Sequence, residues 1–444
     1  MIALPLSAAA GLGALEAAPG VTEVVRITID SRTVRPGDLF VAVGGGATYL
    51  EAARAAGAAA TLLPDDEHAA LAALGRAVLA RSSARVVGIT GSNGKTSTKD
   101  ILAALCAPLL RTVAAERSFN NEIGVPVTLF RVEPDTELVI LELAMRGAGH
   151  IAALCQIAPP DVAAITSIAP AHLELLGSLE SIARAKAEIV EGLRPEGVAV
   201  VPAHVDELEQ ALAEVLRRRP VRVVRVGGAQ LPRRVGAVER RPDGSCRAEF
   251  LLADERVTLD LSFSSGHQLA NTLTALVVYR ELGLPLERAQ EGAAQIRFSS
   301  WRGEEHALAG GGLVVNDAYN ANPGSLRAAL EHQQLRAAGR RRLAVLGTMA
   351  ELGPTAPEHH RAIGRFAREL GVDQLIAVGE LGRHYLDEGP PGQWAPDAAA
   401  AIEAARACVR PGDHVLVKAS RSVGLESVAE ALAADSAADA LRGF

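Results

Sequence analysis

Gly88-Ile89-Thr90-Gly91-Ser92-Asn93-Gly94-Lys95-Thr96 decides how this chain folds. An apolar run, Val86–Thr90, leads into it, and a helical stretch from Thr96 to Leu105 follows. A buried strand, a glycine-rich turn and a helix start in that order form a phosphate loop. Glycines let the backbone curl so that its N–H groups face phosphate oxygens, and the helix N-terminus adds positive potential. Lys95 would then reach the β- and γ-phosphates, and Thr96 would ligate Mg2+. The standard pattern would place its first glycine at 89, where this chain has Ile89; Gly91 makes it a GSNGKT variant. The residues expected at the nucleotide are Gly91, Ser92, Asn93, Gly94, Lys95, Thr96 and Ser97.

Further apolar runs recur before helical stretches at Leu138–Leu143, Val162–Thr166 and Val198–Val201. Continuous apolar runs, unlike alternating ones, predict a parallel sheet covered on both faces. Val139-Ile140-Leu141-Glu142 ends one such run on a carboxylate, a costly place for a charge unless it is paired, hydrogen-bonded or on a metal. Residues 246–263 switch to period two and read as a hairpin turning at Ala253-Asp254-Glu255. Upstream, 21–82 read as a small α/β unit, with strands at Val24–Ile29 and Leu39–Val43 and helices at Tyr49–Gly57 and Glu67–Ala80. Residues 1–20 are apolar but broken by Gly11, Gly13, Glu16 and Pro19, and are expected to form a short helix packed on that unit. Downstream, strands at Leu313–Asn316, Leu343–Gly347, Leu375–Gly379 and His414–Lys418 alternate with helices at Ser325–Ala337, Glu358–Leu370 and Asp397–Val409, the rhythm of a doubly wound sheet. The expectation is an α/β protein of three domains. They are a small N-terminal domain at 1–83, a central phosphate-loop sheet with a hairpin extension at 84–297, and a Rossmann-like domain at 298–444.

Composition excludes several functions. Lys and Arg number 45 against 52 Asp and Glu, and aromatics are 3%, so neither a basic face nor a stacking platform for nucleic acid is expected. The basic clusters Arg217–Arg219 and Arg340–Arg342 read as solvated helix ends. Cys106, Cys155, Cys246 and Cys408 are widely spaced, which favours a reducing compartment over a zinc ribbon or disulfide framework. No stretch resembles a signal peptide or a membrane span, so a cytoplasmic protein with no membrane insertion is expected.

Several motifs together give the chain a family resemblance. They are the phosphate loop, Ser118-Phe119-Asn120-Asn121-Glu122-Ile123-Gly124-Val125-Pro126, Pro170-Ala171-His172-Leu173-Glu174 and Gly266-His267-Gln268-Leu269-Ala270-Asn271. Asp317-Ala318-Tyr319-Asn320-Ala321-Asn322-Pro323, Gly347-Thr348-Met349-Ala350-Glu351-Leu352-Gly353 and Lys418-Ala419-Ser420-Arg421 complete the set. The chain resembles the Mur ligases, the ATP-dependent amide-forming enzymes of peptidoglycan synthesis. Within them, the FNNEIGVP, DAYNANP and GxMxELG runs resemble the branch that adds D-alanyl-D-alanine to UDP-N-acetylmuramoyl-tripeptide. The DNPR-like run of the diamino-acid-adding branch is missing. That branch is the nearest alternative, and a phosphate-loop scaffold without ligase chemistry is a more distant one.

The resemblance implies ATP, two Mg2+ ions and an acyl-phosphate intermediate. It implies that Lys95 and Thr96 hold phosphates and the first Mg2+ with Glu142. It puts His172 on the second Mg2+ and makes Lys186, in Ala185-Lys186-Ala187-Glu188-Ile189, a carbamylated lysine that also ligates metal. Asn271 would contact adenine, Arg302 phosphate, Asp317 ribose, and Tyr319 would lie near the nucleotide. Asp30, Ser31 and Arg32 would hold the UDP end. Asn120, Asn121, Asn320, Asn322, Lys418 and Arg421 would shape the substrate site, with a monomer as the working unit. Each residue also has a plainer reading: a satisfied strand end for Glu142, a loop histidine for His172, a solvated helix lysine for Lys186, a polar helix face for Asn271, a strand-to-turn cap for Asp30–Arg32, a turn for Asn320–Asn322 and surface charge for Lys418 and Arg421. The chain departs from the family pattern in a shortened Gly44-Gly45-Gly46-Ala47-Thr48-Tyr49 loop without histidine, and at Ser167, Trp301 and Ala419.

Overall fold

The computed structural model describes residues 1–442 apart from Arg117, Ala171 and His172. Its centre is a six-stranded parallel sheet in the order Arg222–Val226, Val198–Pro202, Val162–Ile165, Arg85–Thr90, Leu138–Glu142, Thr112–Ala114. The phosphate-loop strand lies between Val162–Ile165 and Leu138–Glu142. Its residues explain that position: Val86, Val87 and Ile89 are fully buried, so both faces need cover. One face packs under Gly266–Glu281 and an antiparallel three-stranded sheet, Arg233–Arg240, Cys246–Leu252 and Glu255–Leu261. The other face shares a continuous core with the N-terminal region, joining Leu71, Leu74 and Val78 to Val125, Leu129 and Val139.

The N-terminal sheet runs Gly13–Ala17, Ala60–Pro64, Asp38–Val41, Arg26–Thr28. The helix expected within residues 1–20 is not formed. Leu6–Ala9 is one 3-10 turn, and Gly13–Ala17 pairs antiparallel with Ala60–Pro64. The glycines that broke the helical pattern explain the difference: Gly11 and Gly13 both take positive φ, and a Cβ on Gly13 would sit 2.2 Å from the Leu63 carbonyl.

The C-terminal sheet runs Glu304–Leu308, Gly312–Asn316, His414–Lys418, Arg342–Gly347, Gln374–Val378, Gly392–Ala395, and only the first pair is antiparallel. The four expected strands and three helices are present. The loops after Gly312–Asn316, Arg342–Gly347 and His414–Lys418 meet at one edge, where the Ser420 N–H donates to the Thr348 carbonyl at 3.0 Å and its hydroxyl accepts from the Ala350 N–H at 2.9 Å. The carboxyl edge of such a sheet is where ligands bind.

His360 holds one of these loops through its protonation state. The Met349 N–H donates to Nε2 at 3.0 Å, and Nδ1 lies 2.6 Å from the Ala356 carbonyl. Only the neutral ring with its proton on Nδ1 satisfies both. Burial lowers the pKa of His360 to about 4, and likewise that of His332 and His414. A folded-state pKa below the unfolded value gives stability that is complete above the unfolded value and drains away as pH falls toward about 4. Melting temperature is therefore expected to fall between pH 6.5 and 4, with each ring contributing up to about 3 kcal/mol. His360→Asn should be destabilised less, relative to the parent, at pH 4 than at pH 7. An equal difference at both pH values would contradict this role.

Candidate active site

Gly91 and Gly94 shape the phosphate loop. Gly91 has φ +146, and a Cβ there would meet the Thr166 hydroxyl at 1.9 Å. Gly94 has φ +83, and a Cβ there would lie 2.3 Å from Asn271 Oδ1. The helix Lys95–Cys106 begins directly after, and its first bond runs from the Thr98 N–H to the Gly94 carbonyl at 2.8 Å. The N–H groups of Lys95, Thr96 and Ser97 therefore stand at the open helix end, an anion site by geometry. The N–H groups of Ser92 and Asn93 are instead taken by Ser167, at 2.8 Å to its carbonyl and 2.9 Å to its hydroxyl. Ser92 is thus a brace, its hydroxyl bonded also to Ala169. Thr166 and Ser167 were not anticipated at the site, because their role depends on a neighbouring strand end.

Behind the loop, the plainer reading of Glu142 and the metal reading coincide. Glu142 is 1% exposed; its Oε2 accepts from the Thr96 hydroxyl at 2.7 Å and its Oε1 from the Asn120 amide at 2.8 Å. A carboxylate and a hydroxyl side by side are a hard oxygen set suited to Mg2+, which takes few protein ligands and completes its shell with phosphates and water. Among the described residues, no cluster of three or more His, Cys, Asp or Glu side chains forms an all-protein metal cage. Asn121 caps the turn before Gly124–Leu129 by accepting from the Gly124 N–H at 2.9 Å, which makes it structural in this conformation.

Lys186 sits in the helix Leu179–Glu191, 2% exposed, with no hydrogen-bond or ion-pair partner among the described residues. Burial and the nearby Lys95 ammonium push its pKa well below the ordinary lysine value. The solvated-lysine reading therefore fails. Lys95 is partly exposed; desolvation lowers its pKa, although Glu142 opposes the shift, and its Nζ donates to the Gly91 carbonyl at 2.8 Å. His172 lies outside the described residues.

The C-terminal domain closes over this floor. Asn322 Nδ2 donates to Asn93 Oδ1 at 2.6 Å, and Asn322 also caps the helix Pro323–Ala337. The Glu174 N–H reaches the Glu351 carbonyl at 3.2 Å. Arg302 stacks 4.0 Å above the Tyr319 ring and points toward Ser118 at 3.4 Å, while its buried Nε has no partner among the described residues. A buried guanidinium N–H without an acceptor fits an oxyanion held nearby. Lys418, expected to shape the substrate site, is engaged within its own domain. Its ammonium is consumed by Asp317 Oδ2 at 2.6 Å and by the Asn320 carbonyl at 2.9 Å, so it props the Asp317–Asn322 loop. Asn320 is exposed, and its side chain folds back on the Ala321 N–H at 2.9 Å. Arg421 pairs with Glu426 and stacks 4.3 Å from the Trp301 ring.

Asn271 is 9% exposed and donates to Gln268 at 3.0 Å, beside Gly94. Gln268 in turn reaches the Ser97 hydroxyl at 3.3 Å. A cavity of about 230 Å3 opens between the domains, bounded by Phe263, His267, Phe298, Arg302, Asp317 and His332. Far from this cleft in sequence, Asp30 accepts from the Arg32 N–H at 3.0 Å and from its guanidinium at 2.8 Å, and this pairing holds Asp30 at about 2. The cap reading of Asp30–Arg32 is thus realised. The Arg32 guanidinium remains outward-facing. The shortened loop is anchored by the Gly44 N–H on both oxygens of Glu67, 3.0 Å each.

A phosphate loop that a second domain must complete suits an enzyme that spends a nucleotide on joining two molecules; the fold and site define an ATP-dependent ligase. Residues 89–279 match the Mur ligase middle domain and residues 301–421 the Mur ligase, glutamate ligase domain. A UDP-N-acetylmuramoyl-tripeptide–D-alanyl-D-alanine ligase of Mycobacterium tuberculosis is 37% identical over 94% of this chain and 93% of its own. One from Bacillus subtilis is 29% identical over 93% of each. The MurF crystal structure from Acinetobacter baumannii superposes with a TM-score of 0.86 at 27% identity, over 97% of this chain and 98% of that one. The MurF ligase of Thermotoga maritima in complex with ADP gives 0.81 at 30% identity, over 93% and 98%. The chain belongs to the Mur ligase family.

Proposed function

We propose that the protein joins D-alanyl-D-alanine to UDP-N-acetylmuramoyl-tripeptide, in the cytoplasm and as a monomer. Residues 1–83 hold the UDP end, 84–297 hold ATP and metal, and 298–444 receive the dipeptide. The names of the relatives and the lack of an Asp-Asn-Pro-Arg run support the substrate pair. Among the described residues no helix is long and apolar enough to cross a membrane.

The chemistry begins at the tripeptide carboxylate. One of its oxygens attacks the γ-phosphorus of ATP, the β–γ bridging bond breaks, and an acyl phosphate and ADP result. The dipeptide amine then adds to the carbonyl, loses a proton, and the tetrahedral intermediate expels phosphate to leave the amide. Lys95, Arg302 and the helix start neutralise the transferred charge, and closure through Asn93 and Asn322 aligns the parts. Asn271 and Tyr319 flank the base, Asp317 the ribose, and the interdomain cavity takes the nucleoside. Arg421 receives the carboxylate of the incoming dipeptide. Thr96 and Glu142 would hold one Mg2+, and His172 and a Lys186 carbamate would hold a second. These ions supply charge neutralisation at the reacting oxygens.

The single observation that carries this reading is Lys186: buried, without a partner among the described residues, and beside another lysine. Such a site favours the neutral amine, whose lone pair can attack CO2. The N–C bond forms, a proton leaves, and the neutral amine becomes an anion that could ligate a metal ion. The test of the intermediate is isotopic. Tripeptide substrate with 18O in its terminal carboxylate is expected to deliver one 18O to inorganic phosphate per amide formed. Phosphate free of label would overturn the acyl-phosphate route.

A further inference from the structure

Trp301 occupies a backbone position that resists it. Its φ is +62, in the left-handed region where a bulky side chain is strained and glycine is not. Strain of this kind persists only when the surroundings hold it in place. The indole is held on one side by the Arg421 guanidinium, 4.3 Å from the ring, while Nε1 lies 3.4 Å from Glu430. The backbone is fixed as well. The Trp301 carbonyl accepts from the Tyr319 N–H at 3.2 Å, and the Gly303 N–H reaches the Asn316 carbonyl at 3.0 Å. Trp301 and Arg302 therefore each carry a stacked cation–ring contact, Arg421 on the first and Tyr319 under the second.

Arg421 is half-exposed and engages Glu426 through one terminal nitrogen, so its other N–H groups remain for a ligand. A guanidinium held over an indole loses rotational freedom, so its remaining N–H groups sample fewer directions. Those groups stand at the loop cluster beyond the carboxyl ends of the C-terminal strands. We propose that Trp301 is a positioning residue that fixes Arg421 for the free carboxylate of the acceptor dipeptide. The inference rests on the assignment of Arg421 to that carboxylate made above.

The test compares D-alanyl-D-alanine with its C-terminal amide as acceptors in steady-state assays of the full-length protein. Trp301→Gly removes the ring and relieves the backbone, so its melting temperature is expected at or above the parent value. Its KM for the free acid should rise about five- to ten-fold, with kcat and the KM for ATP within about two-fold, because one stacked contact is lost. Its KM for the amide should not move, and Trp301→Phe should recover most of the loss for the acid. An unchanged KM for the acid, or an equal rise for acid and amide, overturns the proposal. Arg421→Ala separates the two claims. If it leaves the KM for the acid unchanged, the carboxylate assignment itself fails. If it raises that KM while Trp301→Gly does not, only the positioning role fails.

Discussion

Lys186→Ala and Lys186→Arg are each expected to lower turnover by about a thousand-fold or more, with ATP affinity within about two-fold of the parent. The size follows from charge. An anion at this position would offset the charge of metal and of Lys95, and its loss would leave those like charges without a counter-ion. Arginine restores length and hydrogen-bonding capacity but cannot form a carbamate, so it separates the carbamate from simple packing. Alanine and arginine should therefore fail alike. Rapid-quench measurement of acyl-phosphate formation and nucleotide titration check the two halves. The carbamate itself should show in the 13C spectrum of protein equilibrated with labelled bicarbonate and vanish in Lys186→Arg. A Lys186→Arg enzyme working at near-parental rate would sink this role.

Glu142→Gln should cost about a hundred- to a thousand-fold in kcat and raise the Mg2+ concentration for half-maximal rate by about ten-fold. The side chain keeps its volume, and Oε1 can still accept from Asn120, so the fold has little reason to change. What is lost is negative charge beside Thr96, where Oε2 now accepts at 2.7 Å. A Mg2+ titration of ADP release that matches the parent would remove Glu142 from the metal site. The two substitutions differ in signature: the Glu142 defect should be eased in part by added Mg2+, the Lys186 defect not.

The sequence made the central sheet legible because its strands are buried on both faces and read as unbroken apolar runs. Edge strands escaped that logic. Thr112–Ala114 is three residues long and half-buried, and Arg222–Val226 reads Arg-Val-Val-Arg-Val, with only Val224 and Val226 buried. Ala60–Pro64 and Gly13–Ala17 were hidden because small residues and glycines mask the period until a partner strand supplies the register. At the site, residues chosen by their own chemistry stood out: Lys95, Thr96, Glu142, Lys186 and Arg302 all gather at one cleft. The bracing was less legible. Ser167 was marked only as a departure from the family pattern, yet it holds the Asn93 N–H; Asn322 and Lys418 were expected at the site, but not their contacts with Asn93 Oδ1 and Asp317. Chemistry is carried locally by the chain, whereas bracing arises only when distant segments come into contact.

Acceptor choice tests the central claim most directly. ADP release is measured with UDP-N-acetylmuramoyl-tripeptide and ATP, with and without D-alanyl-D-alanine, and in parallel with UDP-N-acetylmuramoyl-dipeptide and a free diamino acid. Sustained release that requires the tripeptide and D-alanyl-D-alanine together, with the amide product in equal amount, is the predicted result. Release that needs the dipeptide and the diamino acid instead, or that ignores any acceptor, would contradict it.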